Sequence, residues 1–492
     1  MRLVIYKRDA TGRLMEIENV KIVARLREYL NSDGNITEKG IKYLIHTLLS
    51  FQEVTRYHRI KEVKCVATAS IRQAKNQRQI QKEVAKWTDF TIRILSEYEE
   101  AFYGFYAVMN SFQIDEAITI DIGGGSTEIT YFKNRDLKHY HSFPFGALSL
   151  KKQFVRGDVP TPEEILEIGM FIENNLQTLK WLANKSVPVI AIGGSARNMA
   201  QIHQSLCKYP LNDIHQYEMD LIDIRTVKEM IGQLTYQQLL KVEGLSSDRA
   251  DIIIPAVEVF EKLVEVTSSP RFILSRKGLR DGIFYKELAM PNGSKNFKDV
   301  IDQSLYHIAK DYQINQKQAD QLTKIATSIF KQLKESQQVE FTEKDFNFLK
   351  KAASIFNFGE YVSHEASSEH TFYLLSNRMI DGMNHRDRIT LALIASYKKK
   401  DSFLQFAKPY QAWFSKAEFK KMRMLGAILK FSYSLNSTKR NIVESVKLRK
   451  EADTLLIKVK CKKDSKPEEY QANKQKKHLE KVLKQNIQII FS

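Results

Sequence analysis

The stretch from Ala117 to Phe132 constrains the fold of this chain more than any other part of the sequence. It reads AITIDIGGGSTEITYF, with alternating β-branched residues on both sides of three consecutive glycines. This pattern predicts two antiparallel strands joined by a tight turn. Gly123, Gly124 and Gly125 carry no Cβ, so the oxygens of a phosphate group can approach the backbone N–H groups of the turn closely. The stretch therefore predicts a hairpin that binds phosphate at its turn.

Polar side chains on both sides of the glycine turn favour a chemical role for it. Asp121 alternates with isoleucines on the first strand, so its carboxylate lies on the opposite face from theirs, towards the turn. A carboxylate and a phosphate repel each other unless a cation lies between them, and Mg²⁺ prefers such oxygen ligands. Glu128 is a second candidate for binding metal or water, while Ser126 and Thr127 add hydroxyl donors. The alternative is a structural hairpin in which Asp121 only caps the turn.

A second glycine loop follows the apolar strand predicted at residues 187–192. Gly193 and Gly194 lead into a helical pattern, which places backbone N–H groups at a helix N-terminus, where anions bind. We expect Ser195 to cap this helix and Arg197 to lie in its first turn. The alternative is a strand–turn–helix junction that uses the glycines only to reverse the chain.

A third loop follows the strand predicted at residues 63–67. Thr68 is a good helix-starting residue, and Arg72 then lies in the first turn, beside the positive end of the helix dipole. That position is unfavourable for an arginine by about 0.3–1 kcal/mol unless an anion occupies the helix N-terminus. The alternative is that Arg72 pairs with a surface carboxylate.

The residues around position 100 indicate which carboxylate activates water. Ser96 and Glu99 have the spacing of a capping box, which assigns Glu99 a structural role and leaves Glu100 free. A partly buried glutamate near a metal can position and deprotonate an attacking water. The alternative is that Glu100 only favours the first turn of its helix.

The pattern of apolar residues divides the chain into an α/β part and a mostly helical part. Short β-branched runs alternate with amphipathic stretches over the first 290 residues, which predicts helices packed over sheets. The turn-rich segment Met290–Asn296 is the predicted boundary. Residues 297 to 435 are predicted to be helical, and strand alternation followed by a Lys/Gln-rich helix returns from residue 442.

The net charge indicates which classes of partner the chain could bind, and the cysteine content indicates the cellular compartment. Residues 291–492 carry +15 of the formal net charge of +18, which favours a polyanionic partner without choosing among nucleic acid, anionic membrane and polyphosphate. No run approaches the roughly 18 apolar residues that a membrane helix needs. The three scattered cysteines exclude a disulfide framework and a cysteine-based zinc site, so we expect a reduced, cytoplasmic compartment.

Taken together, these segments resemble the exopolyphosphatase/guanosine pentaphosphate phosphohydrolase (Ppx/GppA) family of the actin-like ATPase superfamily. The resemblance lies in six segments in the same order: ATASIRQAKN (67–76), LSEYEEA (95–101), TIDIGGGSTEIT (119–130), IGGSARNMA (192–200), SSDRADIIIPA (246–256) and SRKGLRDGI (275–283). It implies a two-lobed, ribonuclease H-like core, with lobes at residues 1–117 and 118–290. A helical, HD-like domain at 297–435 and a small basic α+β unit at 436–492 would follow.

The resemblance also implies the roles of the site residues. Glu100 matches the family's water-activating glutamate, Asp121 the metal-associated aspartate and Glu128 the third acidic residue of the cleft. Gly123–Thr127 and Gly193–Ser195 match the two phosphate-binding loops, and Thr68 and Arg72 match the loop opposite them. The cofactor implied is Mg²⁺, and a homodimer is expected from similar proteins.

Two departures from the family pattern are visible. The family opens with a strand and an Asp-x-Gly-Ser-Asn phosphate hairpin, whereas Met1 stands where that hairpin has already passed. Because Glu100, Asp121 and Glu128 are present, we expect a start upstream of Met1 rather than a weakened enzyme.

The helical region is the second departure. In longer family members it resembles a His-Asp metal phosphohydrolase domain, but no adjacent His-Asp pair occurs in this chain. We therefore expect His364, His370, His385 and Asp387 to belong to a degenerate helical scaffold rather than to a second metal site.

The function predicted from the sequence is Mg²⁺-dependent exopolyphosphatase activity, because a long polyanion can contact many of the C-terminal lysines and arginines at once. The alternatives are a guanosine pentaphosphate phosphatase and a non-catalytic sensor of polyphosphate or alarmone. A kinase or ATPase needs an adenine pocket that the sequence does not indicate. Neither nucleic acid nor a membrane is expected as a partner.

Overall fold

The computed structural model describes residues 1–8, 14–292, 299–336, 340–451 and 454–492. These residues form two compact units. One comprises Met1–Tyr209 with Ile214–Lys298, and the other Pro210–Asp213 with Asp299–Ser492. The fourfold division predicted from the sequence stays a prediction.

The first unit mixes strands and helices. Its strands are β1 (Arg2–Arg8), β2 (Leu14–Lys21), β3 (Cys65–Ala67), β4 (Ile92–Ile94), β5 (Glu116–Ile122), β6 (Thr127–Lys133), β7 (Asp136–Phe143), β8 (Val189–Ile192), β9 (Glu218–Met219) and β10 (Phe272–Leu274). Its helices are α1 (Glu38–Tyr57), α2 (Ala69–Arg72), α3 (Gln77–Trp87), α4 (Glu97–Met109), α5 (Ala147–Phe154), α6 (Pro162–Gln177), α7 (Gly194–Leu206), α8 (Leu221–Gly232), α9 (Tyr236–Leu239), α10 (Ile253–Thr267) and α11 (Leu279–Asn292). The predicted strands at 63–67, 117–122, 128–132 and 187–192 are confirmed as β3, β5, β6 and β8.

The largest sheet has six strands in the order β7-β6-β5-β8-β10-β9. Strands β5, β6 and β7 form an antiparallel meander, while β8 pairs with β5 and β10 with β8 in parallel. This is the ribonuclease H-like strand order that the resemblance implies, and the predicted α/β class is confirmed.

The two faces of this sheet pack against different helices. Ile118, Ile120 and Ile122 of β5 join a core with residues of α6, α7, α8 and α10. Ala117 of β5 instead belongs to a second core with Phe105 and Met109 of α4. Because side chains alternate along a strand, Asp121 lies on the α4 face.

The remaining strands of the first unit form two separate sheets. β1 pairs with β2 in antiparallel fashion, and β3 pairs with β4 in parallel. Both sheets pack on one apolar core that includes Leu44, Leu48 and Phe51 of α1.

The second unit is mostly helical and ends in a small sheet. Its helices are α12 (Val300–Asp311), α13 (Gln316–Glu335), α14 (Glu343–Ser354), α15 (Ser367–Asn377), α16 (His385–Ala395), α17 (Lys400–Ala407), α18 (Lys416–Ser434) and α19 (Lys466–Leu483). Its strands are β11 (Val443–Glu451), β12 (Thr454–Cys461) and β13 (Asn486–Phe491), in the order β11-β12-β13. The predicted helical region, the strands after residue 442 and the basic helix are confirmed. A search of the described helices found none long and apolar enough to cross a bilayer.

The boundary predicted at Met290–Asn296 stays a prediction. Helix α11 continues to Asn292, so the helical pattern persists across the first residues of that segment. The rest of the predicted break lies outside the described residues.

Candidate active site

Two carboxylates face each other across the central hairpin. Asp121 on β5 lies directly opposite Glu128 on β6. Thr119 and Thr130 form the next pair on the same face, and their hydroxyl oxygens are 2.5 Å apart. The hairpin thus presents a polar strip towards α4, on a sheet whose opposite face is apolar.

The third carboxylate comes from α4. Ser96 caps this helix and forms a capping box with Glu99, as predicted. Glu100 follows in the first turn, and Gly104 lies one helical turn later on the same side.

The three carboxylates line one small cavity. Glu100, Asp121 and Glu128 surround a space of about 10 Å³, which is closed by Ala101, Gly104, Thr119, Thr130 and Ile192. A volume of about 10–15 Å³ is what one water molecule requires. The structure therefore brings the predicted base and the two predicted metal ligands together around a space for one water.

Arg72 approaches the same group from α2. Its Nη1 atom donates a hydrogen bond to Glu100 Oε2 at 2.7 Å and another to the Leu95 carbonyl at 3.1 Å. Thr68 also hydrogen-bonds the Glu100 carboxylate. The alternative in which Arg72 pairs with a surface carboxylate is wrong, since Arg72 pairs with the partly buried Glu100 of the site itself. Its Nε and Nη2 atoms are buried without a hydrogen-bond partner among the described residues, so two donors stay available for an anion.

Burial and the charges of neighbouring groups raise the pKa values of these carboxylates. Burial, followed by the charge of Glu100, raises the pKa of Glu128 to about 8, although hydrogen bonds from Ser126 and Ser142 oppose the shift. Burial, and then Glu100, raises the pKa of Asp121 to about 6, against the lowering effect of Arg249 and Arg197. Burial also raises the pKa of Glu100, and Arg72 opposes that rise. A bound cation would relieve this repulsion.

The glycine turn is held by close backbone contacts. The N–H of Ala147 donates to the Gly123 carbonyl at 3.0 Å, and that of Leu148 to the Gly124 carbonyl at 3.1 Å. A Cβ on Gly146 would lie 2.4 Å from the Gly123 oxygen, so only glycine permits this approach. These hydrogen bonds hold the glycine turn against the N-terminus of α5.

The hydroxyls beside the turn differ from the prediction that they bind phosphate. Thr127 donates its hydroxyl to the Phe145 carbonyl at 2.8 Å, and Ser126 hydrogen-bonds Glu128. Both side chains are buried, so they orient the strand end and the carboxylate.

The second loop is placed against Asp121. Gly193 has a φ of +94°, and a Cβ there would lie 2.5 Å from Asp121 Oδ1. Helix α7 begins at Gly194 with Gly193 as its N-cap, so the predicted cap at Ser195 is wrong. Ser195 instead accepts a hydrogen bond from Arg249 Nη1 at 3.2 Å. The backbone of the loop leaves no room for a side chain at the carboxylate, and this explains the glycine.

Several arginines lie close together beside this second loop. Arg197 is partly buried, its Nε lacks a hydrogen-bond partner among the described residues, and its pKa is lowered by burial and then by Arg2, Arg276, Arg280 and Arg249. Cations this close together are stabilised by an anionic ligand. The predicted anion-binding role of Arg197 therefore has physical support.

Three residues of the site were missed at the sequence level. Arg27 Nη1 donates to the Gly125 carbonyl at 2.8 Å, Ser142 donates to Glu128 at 3.0 Å, and Arg249 reaches Ser195. Arg249 lies in the segment SSDRADIIIPA, which carried part of the resemblance and so offered a signal. Arg27 and Ser142 lie in no comparable motif.

The donor set suits Mg²⁺ that is shared with a substrate. Carboxylate oxygens from Asp121 and Glu128 are hard ligands, and Mg²⁺ usually takes one or two carboxylates together with water and phosphate oxygens. No three His, Cys, Asp or Glu side chains of the described residues converge as a complete metal site. The pair therefore fits a metal whose remaining ligands come from substrate and water.

The remaining candidates lie in the helical unit. The His364 side chain is largely exposed and pairs with Glu360, whereas Asp387 pairs with Lys344. His385 is buried at the start of α16, and His370 lies within α15.

Comparison with known proteins gives consistent matches along the chain. The Ppx/GppA phosphatase family matches residues 4–290, and domain III of Ppx/GppA phosphatases matches residues 300–482. A guanosine-5'-triphosphate,3'-diphosphate pyrophosphatase of Pseudoalteromonas atlantica is 24% identical over 396 residues, which are 76% of this chain and 74% of that protein.

Solved structures match the first part of the chain. The Aquifex aeolicus member of the Ppx/GppA family has a TM-score of 0.52 at 25% identity, covering 60% of this chain and 95% of that one. An exopolyphosphatase of Cytophaga hutchinsonii has a TM-score of 0.53 at 19% identity, with coverage of 59% and 94%, and this similarity concerns the fold alone.

The substitution Gly146→Ala tests the packing of the glycine turn. The added Cβ meets backbone atoms at 2.4 and 2.8 Å, so we expect the free energy of unfolding to fall by about 1–3 kcal/mol in denaturant titration. Gly232→Ala is the matched control, because an added Cβ there has no neighbour within 4 Å. Equal stability of the two variants would contradict the packing described here.

Glu128 makes stability depend on pH. Its folded pKa of about 8 lies above the ordinary 4.5, so the stabilisation is complete below pH 4.5 and is lost as pH rises through 8. In metal-free buffer we expect the free energy of unfolding to decrease by a few kcal/mol between about pH 5 and 8.5. Glu128→Gln should flatten that decrease, whereas Glu99→Gln should leave it intact. A decrease of the same size in Glu128→Gln would show that other groups cause it.

Proposed function

Because the chain belongs to the Ppx/GppA phosphatase family and is an enzyme that hydrolyses phosphoric anhydrides, we propose that it releases the terminal phosphate of inorganic polyphosphate. The observation that carries the proposal is the convergence of Glu100, Asp121 and Glu128 on a cavity the size of one water. Glycine turns with exposed amides and unpaired arginine donors lie around this group.

Glu100 is the proposed general base. It lies on a helix, is fixed by Arg72 and Thr68, and has a raised pKa that brings it nearer to neutral pH. In the proposed step a water oxygen attacks the terminal phosphorus, the bond from phosphorus to the bridging oxygen breaks, and Glu100 takes the proton of the water. The shortened polyphosphate leaves with the electron pair of the broken bond.

The arginines and glycine turns are proposed to hold the phosphoryl group. Arg72 has two buried donors that no protein group uses, and such donors favour a charged acceptor. The amides of Gly124 and Gly125 and of Gly193–Gly194 are proposed to orient the terminal phosphate, whereas the Gly123 N–H donates to the Ser126 carbonyl at 2.9 Å. Positioning of this kind is the main source of catalysis in phosphoryl transfer.

Mg²⁺ is proposed as the cofactor, held by Asp121 and Glu128. When bound it neutralises charge on the phosphate oxygens and lowers the carboxylate pKa values.

The substrate is proposed to be a long polyanion because of the charge of the chain. Residues 291–492 carry a net charge of +15, which can attract many phosphates of one polymer. Guanosine pentaphosphate is the second candidate, and the name of the Pseudoalteromonas atlantica relative favours it. Both substrates present a terminal phosphoric anhydride to the same three carboxylates.

Substitution of the proposed base tests the reaction. We expect Glu100→Gln to lower phosphate release from long-chain polyphosphate by about 10²–10⁴-fold, since general base catalysis contributes that much. Binding of polyphosphate should persist. Glu99→Gln is the neighbouring control and should keep nearly full activity, because glutamine preserves the capping box.

The same assay separates the alternatives. Faster turnover of guanosine pentaphosphate than of polyphosphate would favour the second substrate, and binding of polyphosphate without turnover by the unaltered chain would favour a sensor. Full activity in Glu100→Gln would remove the assignment of the base.

Metal binding can be measured without turnover. We expect Mg²⁺ at millimolar concentration to raise Tm at about pH 8, where the carboxylates need a counter-charge. Asp121→Asn should abolish this shift and Glu99→Gln should retain it. An equal shift in all three proteins would place the metal elsewhere.

A further inference from the structure

The guanidinium of Arg27 packs directly on the glycine turn of the site. Its Nη1 atom donates hydrogen bonds to the Gly125 carbonyl and to Gln73 Oε1, both at 2.8 Å. A Cβ on Gly125 would overlap that nitrogen, so this close contact requires glycine. The guanidinium is therefore held between the glycine turn and the end of α2.

Arg27 carries its charge without a carboxylate partner among the described residues. It is half-buried, and burial is the one cause that lowers its pKa, so neither an acid nor another cation acts on it. The adjacent Glu28 pairs with Arg25 at 3.3 Å, and Arg25 also pairs with Asp251 at 2.9 Å. A half-buried cation without a counter-ion is unfavourable unless a ligand supplies the negative charge.

One edge of the Arg27 guanidinium is available for a ligand. Its hydrogen bonds to the described part of the chain all come from Nη1, and Nε and Nη2 form a second edge. The two N–H groups of such an edge match two oxygens of one phosphoryl group. Arg72 has the same arrangement, with Nη1 on Glu100 and with Nε and Nη2 unpaired in that part of the chain. Both arginines thus have the same edge available for an anion.

Gln73 fixes the position of Arg27 relative to Arg72. Gln73 is the C-cap of α2 and follows Arg72 directly in the chain. Its side-chain oxygen accepts a hydrogen bond from Arg27, while Arg72 donates one to Glu100. The same short helix therefore positions both guanidiniums, that of Arg72 at the carboxylates and that of Arg27 at the glycine turn.

Arg27 lies farther from the three carboxylates than the other arginines of the site. The charge of Arg72 acts on the pKa of Glu100, and the charge of Arg249 acts on that of Asp121. No carboxylate acts on the pKa of Arg27 in return, although its guanidinium touches the glycine turn. The second phosphoryl group of a phosphoric anhydride lies one bridging oxygen away from the terminal one. Arg27 has the position expected for a ligand of that second group.

We propose that Arg27 binds the second phosphoryl group of the substrate through Nε and Nη2. This inference rests on the proposed function, in which the three carboxylates act at the terminal phosphate. When the bond from the terminal phosphorus to the bridging oxygen breaks, the electron pair stays on that oxygen, and the guanidinium stabilises the charge that develops on the leaving group. Arg27 thereby selects phosphoric anhydrides over phosphate monoesters, because a monoester has no second phosphoryl group.

Two probes that differ by one phosphoryl group test the proposal. Orthophosphate occupies the terminal position alone, whereas imidodiphosphate, a diphosphate analogue with a bridging nitrogen, occupies both positions. We expect Arg27→Gln to weaken the binding of imidodiphosphate about 10–100-fold, which is what charge-assisted hydrogen bonds contribute, and to change the binding of orthophosphate by less than about twofold. Isothermal titration calorimetry in the presence of Mg²⁺ measures both affinities without turnover.

Two further variants separate recognition of the phosphate from effects of net charge and folding. Arg27→Lys keeps the cation without the two parallel donors, so we expect a smaller loss of imidodiphosphate affinity than in Arg27→Gln. Arg56 forms an exposed ion pair with Asp89, and Arg56→Gln, which removes the same charge, should change neither affinity. The Tm of each variant without ligand shows whether the substitution disturbs the fold.

The outcomes distinguish this inference from the proposed function. An equal loss of both affinities in Arg27→Gln would show that Arg27 only supports the glycine turn, and would overturn the proposal. No loss of either affinity, or an unaltered chain that binds neither probe, would also overturn it. If the unaltered chain instead binds imidodiphosphate through Arg27 but releases no phosphate from polyphosphate, the proposed function fails while the binding role of Arg27 is supported.

Discussion

The repulsion among three buried carboxylates is the constraint on which the rest of the site depends. Asp121 and Glu128 are opposite each other on neighbouring strands, and Glu100 meets them from the helix above. Burial is the largest cause of their raised pKa values, and the charge of Glu100 adds to it for Asp121 and Glu128. A fold retains such a cluster only when a cation, a proton or an arginine compensates it. The cluster therefore lowers the stability of the fold. It is also the group to which we assign the activation of the attacking water.

Glycines and arginines provide the surroundings that the carboxylates need. Gly146 lets α5 reach the first turn, and Gly193 lets the second loop touch Asp121. Backbone amides can then face a phosphate at short range. Arg72 holds Glu100 while keeping two donors unused, and Arg249 orders the second loop through Ser195. The phosphate recognition that we propose and the positioning of Glu100 would thus come from the same residues.

The sequence by itself determined the hairpin of residues 117–132, the capping box at Ser96 and the helical character of the second unit, because each depends on residues close together in the chain. It also separated Glu100 from Glu99, since a local hydrogen-bond pattern uses only one of them. Only the tertiary structure decided that Arg72 pairs with Glu100, that Thr127 bonds Phe145, and that Arg27 and Ser142 belong to the site. Those contacts join residues 14 to 98 positions apart. Periodicity and local hydrogen bonding carry no information about which distant side chains the packing of helices on a sheet brings together.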